Sequence, residues 1–317
     1  MSAVLDADMR PASSAMQMPA SDVIDVAFGV DKNYIVHVAA VIASVMHYAP
    51  DARFRFIILH IDVDTAMQAR IEAMAPGAVF VWAEVGDDDL PPFADRGHFS
   101  RATLFRLGLE KLAPADCGRV LYLDADITVV SDVRPLLRVD LGANVMGAVH
   151  DPNVDAAAFG ERWGLGAGHY FNAGILLIDL ERVRAERLFS KAADFVAKHD
   201  RDLPWNDQDA LNWSCWGRWL KLDPAWNAQR AMAIPSHDEP LSDAMKLRSR
   251  PRIIHFTGGD KPWIAGAYHP WSWLYWESVA RTPFAAEIAA KQGVGALARF
   301  KMWLRFLRRW RWLSARP

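Results

Sequence analysis

Arg119-Val120-Leu121-Tyr122-Leu123-Asp124-Ala125-Asp126-Ile127-Thr128-Val129-Val130 decides how this chain is read. β-formers run up to an Asp-x-Asp and resume beyond it, with Pro114 and Gly118 upstream. That pattern predicts a buried strand. A buried strand has no solvation to spare for two carboxylates, which repel each other and cost several kcal/mol each when left unpaired. They need a cation or a row of donors. In extended chain, side chains at i and i+2 share a side. Asp124 and Asp126 can then close on one hard divalent ion such as Mg²⁺ or Mn²⁺. The competing reading ends the strand here, with both acids in water.

Working outward, the N-terminal side alternates strands and helices. Val23–Phe28 reads as a strand, Val36–Tyr48 as a helix, Arg53–His60 as a strand, Thr65–Met74 as a helix with Thr65 as its N-cap, and Val79–Trp82 as a third strand. This rhythm predicts an α/β fold whose mostly parallel central sheet is flanked by helices. Ligands collect beyond the carboxyl ends of such strands. Asp31 and Asn33 lie just past one such end, where a capped turn is an equal reading. Asp87-Asp88-Asp89 reads as a solvated loop. Ser100 or Thr103 is placed to cap a helix carrying Arg101 and Arg106, of which only one need face a ligand.

On the C-terminal side, Val145–Val149 predicts a strand ending at His150-Asp151. Tyr170–Leu180 predicts another, entered through Asn172-Ala173-Gly174, small enough to let a ligand near the backbone. Glu181–His199 reads as one long amphipathic helix. Trp205-Asn206-Asp207-Gln208-Asp209 opens a further helix with acids where its dipole favours them, and capping alone would account for Asp207. Finally, Pro251–Phe256 is a strand with His255 near its end, followed by Gly258-Gly259-Asp260-Lys261. Amides of a Gly turn beside one ammonium form a small anion site, suited to a diphosphate.

Composition narrows the classes. A hydrophobic share of 52% in 317 residues supports a sizeable core. The net charge of −2 provides no global attraction to nucleic acid. Only Cys117 and Cys215 are present, so neither a zinc motif nor a disulfide framework is expected, in keeping with a reducing compartment. The fourteen Trp suit both sugar rings and membrane interfaces. Residues 1–21 lack a secretory pattern and predict a disordered tail. No stretch reaches the roughly 18 apolar residues of a membrane span. Ala296–Pro317 carries seven Lys and Arg and no acid, with Phe300, Trp303, Leu304, Leu307 and Trp310 at helical spacing. This predicts a basic amphipathic helix, within residues 281–317, lying on an anionic membrane surface.

Taken together, Asp31-x-Asn33-Tyr34, Leu121-Tyr122-Leu123-Asp124-x-Asp126, Tyr170-Phe171-Asn172-Ala173-Gly174, Asp207-Gln208-Asp209 with Leu211-Asn212, and His255 with Gly258, Lys261, Pro262 and Trp263 resemble glycosyltransferase family 8. Within it the chain looks most like bacterial lipopolysaccharide and lipooligosaccharide galactosyl- and glucosyltransferases. The resemblance covers about Asp22 to Trp276, with its motifs in the family's order, and assigns residues 22–280 to one catalytic domain. It implies a GT-A type nucleotide-diphospho-sugar fold, a UDP-sugar donor, Mn²⁺ (or Mg²⁺) and transfer with retention. Asp124, Asp126 and His255 match the family's metal ligands. Asp31 and Asn33 match the uracil and ribose end, and Gly258 and Lys261 the diphosphate turn. Arg106, Asn172, Ala173, Asp207 and Gln208 match residues around the donor sugar. His98 and Thr103 match the cleft lining, with Asp151 and Trp205 as further cleft and acceptor candidates. Departures are Lys32 after Asp31, Leu104 where an aromatic is usual, and Trp205 in place of a Tyr.

The implied enzyme is a hexosyltransferase in the cytoplasm, peripheral on the inner face of the cytoplasmic membrane. It would move galactose or glucose onto a glycan or lipid-linked saccharide. Gln208 is a poor nucleophile, so the expected route to retention is front-side displacement, with Asp207 orienting the donor. Two alternatives stand beside it: a sugar nucleotidyltransferase, which would want a Gly-rich basic loop after the first strand, and a catalytically dead membrane-bound sugar-nucleotide binder.

Overall fold

In the computed structural model the described residues are 23–90, 101–233, 251–267 and 269–314. The N-terminal tail, His98 and most of the segment before the last strand lie outside them. Seven strands form the main sheet: β1 (Ile24–Asp31), β2 (Phe54–Ile61), β3 (Val79–Glu84), β4 (Arg119–Leu123), β6 (Met146–His150), β7 (Phe171–Asp179) and β8 (Trp219–Lys221). Their order is β3-β2-β1-β4-β7-β6-β8. β7 runs against both β4 and β6, and the remaining pairings are parallel. A second, three-stranded sheet joins β5 (Ile127–Val129), β10 (Ile253–His255) and β9 (Ala228–Gln229).

Period-2 alternation divides the core between the two faces of the main sheet. Val26, Phe28, Leu121, Leu123, Ile175 and Leu177 face a layer built from the helices Ile35–Tyr48 and Ser272–Val279. Ala27, Val120, Tyr122, Leu176 and Ile178 face the opposite layer, with Leu104, Phe105, Phe189 and Val196. Both faces are covered, which is why the strands read as nearly continuous apolar runs. The expected α/β architecture with a mostly parallel, helix-flanked sheet is what the chain adopts.

Three local expectations change. The strand around Asp-x-Asp is two strands: β4 ends at Leu123 and β5 begins at Ile127 in the other sheet. Asp124 still donates its N–H to the Gly174 carbonyl at 2.8 Å, while the Asp126 carbonyl accepts from Phe256 N–H at 2.9 Å. The motif is therefore the junction at which the chain changes sheets. The Thr65 helix is capped instead by Asp64, whose carboxylate accepts from Met67 N–H at 2.8 Å. The long helix breaks at Arg187, which is left-handed with φ 54°. The break has a tertiary cause: Glu110 accepts from Phe189 and Ser190 N–H at 2.8 and 3.2 Å and so opens a new helix, Leu188–His199.

Candidate active site

At the sheet junction, ligand atoms of Asp124, Asp126 and His255 lie within 4.8 Å of one another. β5 and β10 bring them together, because Ile127 pairs with His255 in an antiparallel register. His255 is 4% exposed, and its Nε2 is 3.3 Å from an Asp126 oxygen and 3.9 Å from an Asp124 oxygen. Lys261 bonds both Asp126 and the Phe256 carbonyl. Burial opposes ionisation of Asp126, but Lys261 and His255 outweigh it and hold the carboxyl well below the usual range. Gly174 completes the cradle. A Cβ there would sit 2.2 Å from the His255 ring and 2.8 Å from an Asp124 oxygen. Two carboxylates and an imidazole nitrogen around glycine backbone fit a divalent cation that accepts hard oxygen ligands.

Behind this cluster, Arg106 joins the two halves of the site. It is 7% exposed, bonds Asp124 at 2.9 Å and the Ala173 carbonyl, and pairs with Asp207 at 2.8 Å. Its guanidinium also lies over the Tyr122 ring, 4.8 Å from the centroid. Burial disfavours its charge, but Asp124 and Asp207 outweigh that and keep it firmly protonated. Asp207, 4% exposed, is pushed up to about 7 by burial, which the Arg106 charge only partly offsets. Of the two arginines in that segment, the sequence left open which faces the site. Arg101 turns away to Asp87 at 2.6 Å, and Arg106 faces in.

Gln208 is held at both ends. Its Oε1 accepts from Ala173 N–H at 2.9 Å, and its Nε2 donates to Asp151 at 3.1 Å. Asp151 also receives Asn172 Nδ2 at 3.0 Å. Asp209 does not face the cleft: it accepts from Tyr170 OH at 2.6 Å and from Trp205 N–H at 2.8 Å, fixing the loop that presents Trp205. A cleft of about 540 Å³ gathers Thr103, Arg106, Asp124, Asp126, Asp151, Asn172, Trp205, Asp207, Gln208, His255, Gly258 and Lys261. Gly258 turns with φ 78°, a conformation glycine adopts without strain.

Asp31 and Asn33 are not part of that lining. Asp31 caps its own turn, accepting from Asn33 N–H at 2.8 Å and Tyr34 N–H at 3.2 Å. The turn nevertheless lies near the site: Tyr34 meets Trp263 edge-on at 6.0 Å, and its hydroxyl feels the charges of Lys261 and Asp126. The sequence presented Gly174 only as a small residue that lets a ligand near the backbone, and missed Asn227, 3.0 Å from His255 Nδ1, and Arg230, which lines the cleft. Only the tertiary neighbours of these residues mark them, and no short motif does.

The model of glycosyl transferase family 8 matches residues 25–267. The chain belongs to glycosyl transferase family 8. It is 28% identical over 262 residues to General stress protein A of Bacillus subtilis, covering 80% of this chain and 91% of that one. Over 255 residues it is 28% identical to the Lipopolysaccharide 1,2-glucosyltransferase of Escherichia coli, covering 79% and 75%. Among solved structures, the galactosyltransferase LgtC in complex with donor and acceptor sugar analogues is similar with a TM-score of 0.73 and 27% identity. That likeness covers 85% of this chain and all of LgtC. The family and the GT-A type fold expected from the sequence stand, and with them the reading of the chain as a glycosyltransferase.

Proposed function

We propose that this family 8 protein is a retaining hexosyltransferase that moves galactose or glucose from a UDP-sugar to a lipopolysaccharide-core or other membrane-glycolipid acceptor. The observation that carries the reading is the convergence of Asp124, Asp126, His255 and Lys261 with Asp207 and Gln208 in the lining of one cleft. Breaking the anomeric bond leaves new charge on a diphosphate. A bound Mn²⁺ or Mg²⁺, held by Asp124, Asp126 and His255, would neutralise that charge as a Lewis acid. The chain's own part is to add the Lys261 ammonium and the Gly258 turn, to bind the sugar beside Arg106 and Asp207, and to exclude water.

Front-side displacement is favoured over a protein-bound intermediate. Gln208 is an amide whose oxygen already accepts from Ala173. The Asp207 carboxylate is paired with Arg106, which lowers its nucleophilicity. A nucleotidyltransferase is disfavoured because Gly29 lies inside β1, where a Cβ would meet Phe105 at 2.8 Å. It is packing there and opens no phosphate loop.

The helix Ala296–Ser314 supports a membrane-surface location. Ala298, Met302 and Phe306 pack on the domain. Leu297, Phe300 and Trp303 are exposed on other sides of the helix, at 67%, 53% and 39%, and Lys301, Arg305 and Arg308 accompany them. A basic helix with a free apolar stripe suits the inner face of an anionic membrane. Among the described residues no helix is long and apolar enough to cross one.

The direct test incubates pure protein with UDP-galactose or UDP-glucose, with Mn²⁺ or with EDTA, and measures released UDP. Metal-dependent release from one of the two donors is expected. No release from any UDP-sugar, with fold and metal present, would overturn the reading and favour a dead sugar-nucleotide binder.

A further inference from the structure

Asn227 is fully buried at the end of the turn Pro224–Asn227. It immediately precedes β9, which lies parallel to β10 with Gln229 opposite His255. Both of its polar atoms are used. Oδ1 lies 3.0 Å from His255 Nδ1, and Nδ2 lies 2.9 Å from Asn172 Oδ1. The direction of this chain of bonds follows from its fixed ends. Asp151 offers only acceptors, so the Asn172 atom facing it at 3.0 Å is the NH₂ group. Gly174 N–H can only donate, so the Asn172 atom facing it at 3.1 Å is the oxygen. That oxygen obliges Asn227 to present its NH₂ to Asn172 and its carbonyl to His255. His255 Nδ1 therefore carries a proton, which makes Nε2, 3.3 Å from Asp126 and 3.9 Å from Asp124, the nitrogen that a bound cation would engage.

We propose that Asn227 is a positioning residue that sets the tautomer of His255 as a metal ligand, and that it ties this ligand through Asn172 and Asp151 to Gln208. An outer hydrogen bond of this kind orients a ligating imidazole and raises its basicity. The same four side chains hold the cation side and the sugar side of the cleft in one register. A shift of the sugar-side frame then reaches the metal side through hydrogen-bonded contacts, with no loop movement needed.

The inference rests on the proposed cation site, so the test separates the two. Mn²⁺ binding to metal-stripped protein is measured by loss of the free-ion EPR signal, without substrate. Wild-type protein that takes up no Mn²⁺ would overturn the cation site and the inference with it. If wild type binds, Asn227→Leu, which keeps the shape and loses both bonds, is expected to bind about 10–100-fold more weakly. Asn227→Asp keeps an acceptor for Nδ1–H but loses the donor to Asn172, so it is expected to bind less tightly than wild type and more tightly than the Leu variant, a partial rescue that packing alone would not give. Wild-type affinity in the Leu variant would overturn the inference and leave the cation site standing. Should the variants fail to fold, ¹⁵N spectra of histidine-labelled, Mg²⁺-loaded wild type read the tautomer directly. A proton on Nδ1 alone is expected, and a proton on Nε2 overturns the proposal.

Discussion

The floor of the cleft and the C-terminal helix are both rich in charge, yet they are built on opposite terms. On the floor, Arg106 at 7% exposure and Asp207 at 4% are paired with each other. Asp151, Asn172, Gln208 and Asn227 use their polar atoms on neighbours. Buried charge and amide groups are costly unless they are bonded, so this region tolerates one arrangement. On the helix, Phe300 and Leu297 meet solvent, and Lys301, Arg305 and Arg308 are exposed, with no ion pair among the described residues. A solvated basic face carries no such penalty and keeps its freedom to meet a surface of matching charge. Chemistry that must place atoms to within a fraction of an ångström sits in the first region. The attachment proposed for the second needs only sign and apolar area.

The sharpest way to break this contrast is Asp126→Ala. Asp126 joins His255 and Lys261, and its loss leaves Lys261 without its carboxylate. Sugar transfer should fall about 10³-fold, while circular dichroism shows the fold retained and the unpaired Lys261 lowers the melting temperature. Activity within tenfold of wild type would remove Asp126 from the catalytic floor. Next in size, Gln208→Ala removes the bonds to Ala173 and Asp151 and should lower kcat about 10²-fold, with a smaller change in the KM for donor. A sugar adduct trapped on Asp207 in this variant would replace front-side displacement by a two-step route.

The two regions also differ in how they are written in the sequence. The floor was legible through motifs at strand ends and at one helix start, which keep short, recognisable runs: Asp124-x-Asp126, Asn172-Ala173-Gly174 and Asp207-Gln208. What escaped was the wiring between them. Asn227 sits in Trp226-Asn227-Ala228, a run without a signature, and its role exists only because β9 lies beside β10. The break at Arg187 escaped for the same reason, since Glu110, nearly eighty positions earlier, supplies the acceptor. The sheet change at Asp-x-Asp was also hidden, since two short apolar runs in different sheets share the pattern of one interrupted strand. The helix, by contrast, was legible from composition alone, and its division into packed and outward faces became visible only once Met302 and Phe306 were seen against the core.

That division sharpens the membrane test. Deleting the helix would also uncover Trp273, which packs against Phe306 at 5.7 Å, and Trp276, which lies under Arg299 at 5.3 Å. Leu297→Glu with Phe300→Glu changes only the outward face. Each substitution should weaken co-sedimentation with anionic vesicles by about tenfold, and Mn²⁺-dependent release of UDP from donor alone should stay at the wild-type rate. Undiminished vesicle binding by the double variant would detach the helix from the membrane reading.

The smallest expected effect probes the cost of keeping charge on the floor. Burial pushes the Asp207 carboxyl up to about 7, so the folded protein holds a proton that the unfolded chain, with an ordinary carboxyl near 4, releases. Below about pH 4 both states are protonated and the group is neutral to stability. As pH rises from there toward 7, the unfolded state gains from ionisation first, and folded stability falls. Asp207→Asn removes this dependence while keeping the shape and one acceptor toward Arg106. In EDTA, the melting temperature of wild type minus that of Asp207→Asn should therefore decline between pH 4 and 7, by about 1.5 °C for each kcal/mol involved. A difference that rises over this range would mean that Arg106 dominates burial and holds Asp207 ionised throughout. The floor would then be a salt-bridged frame with no titratable acid beside the donor sugar.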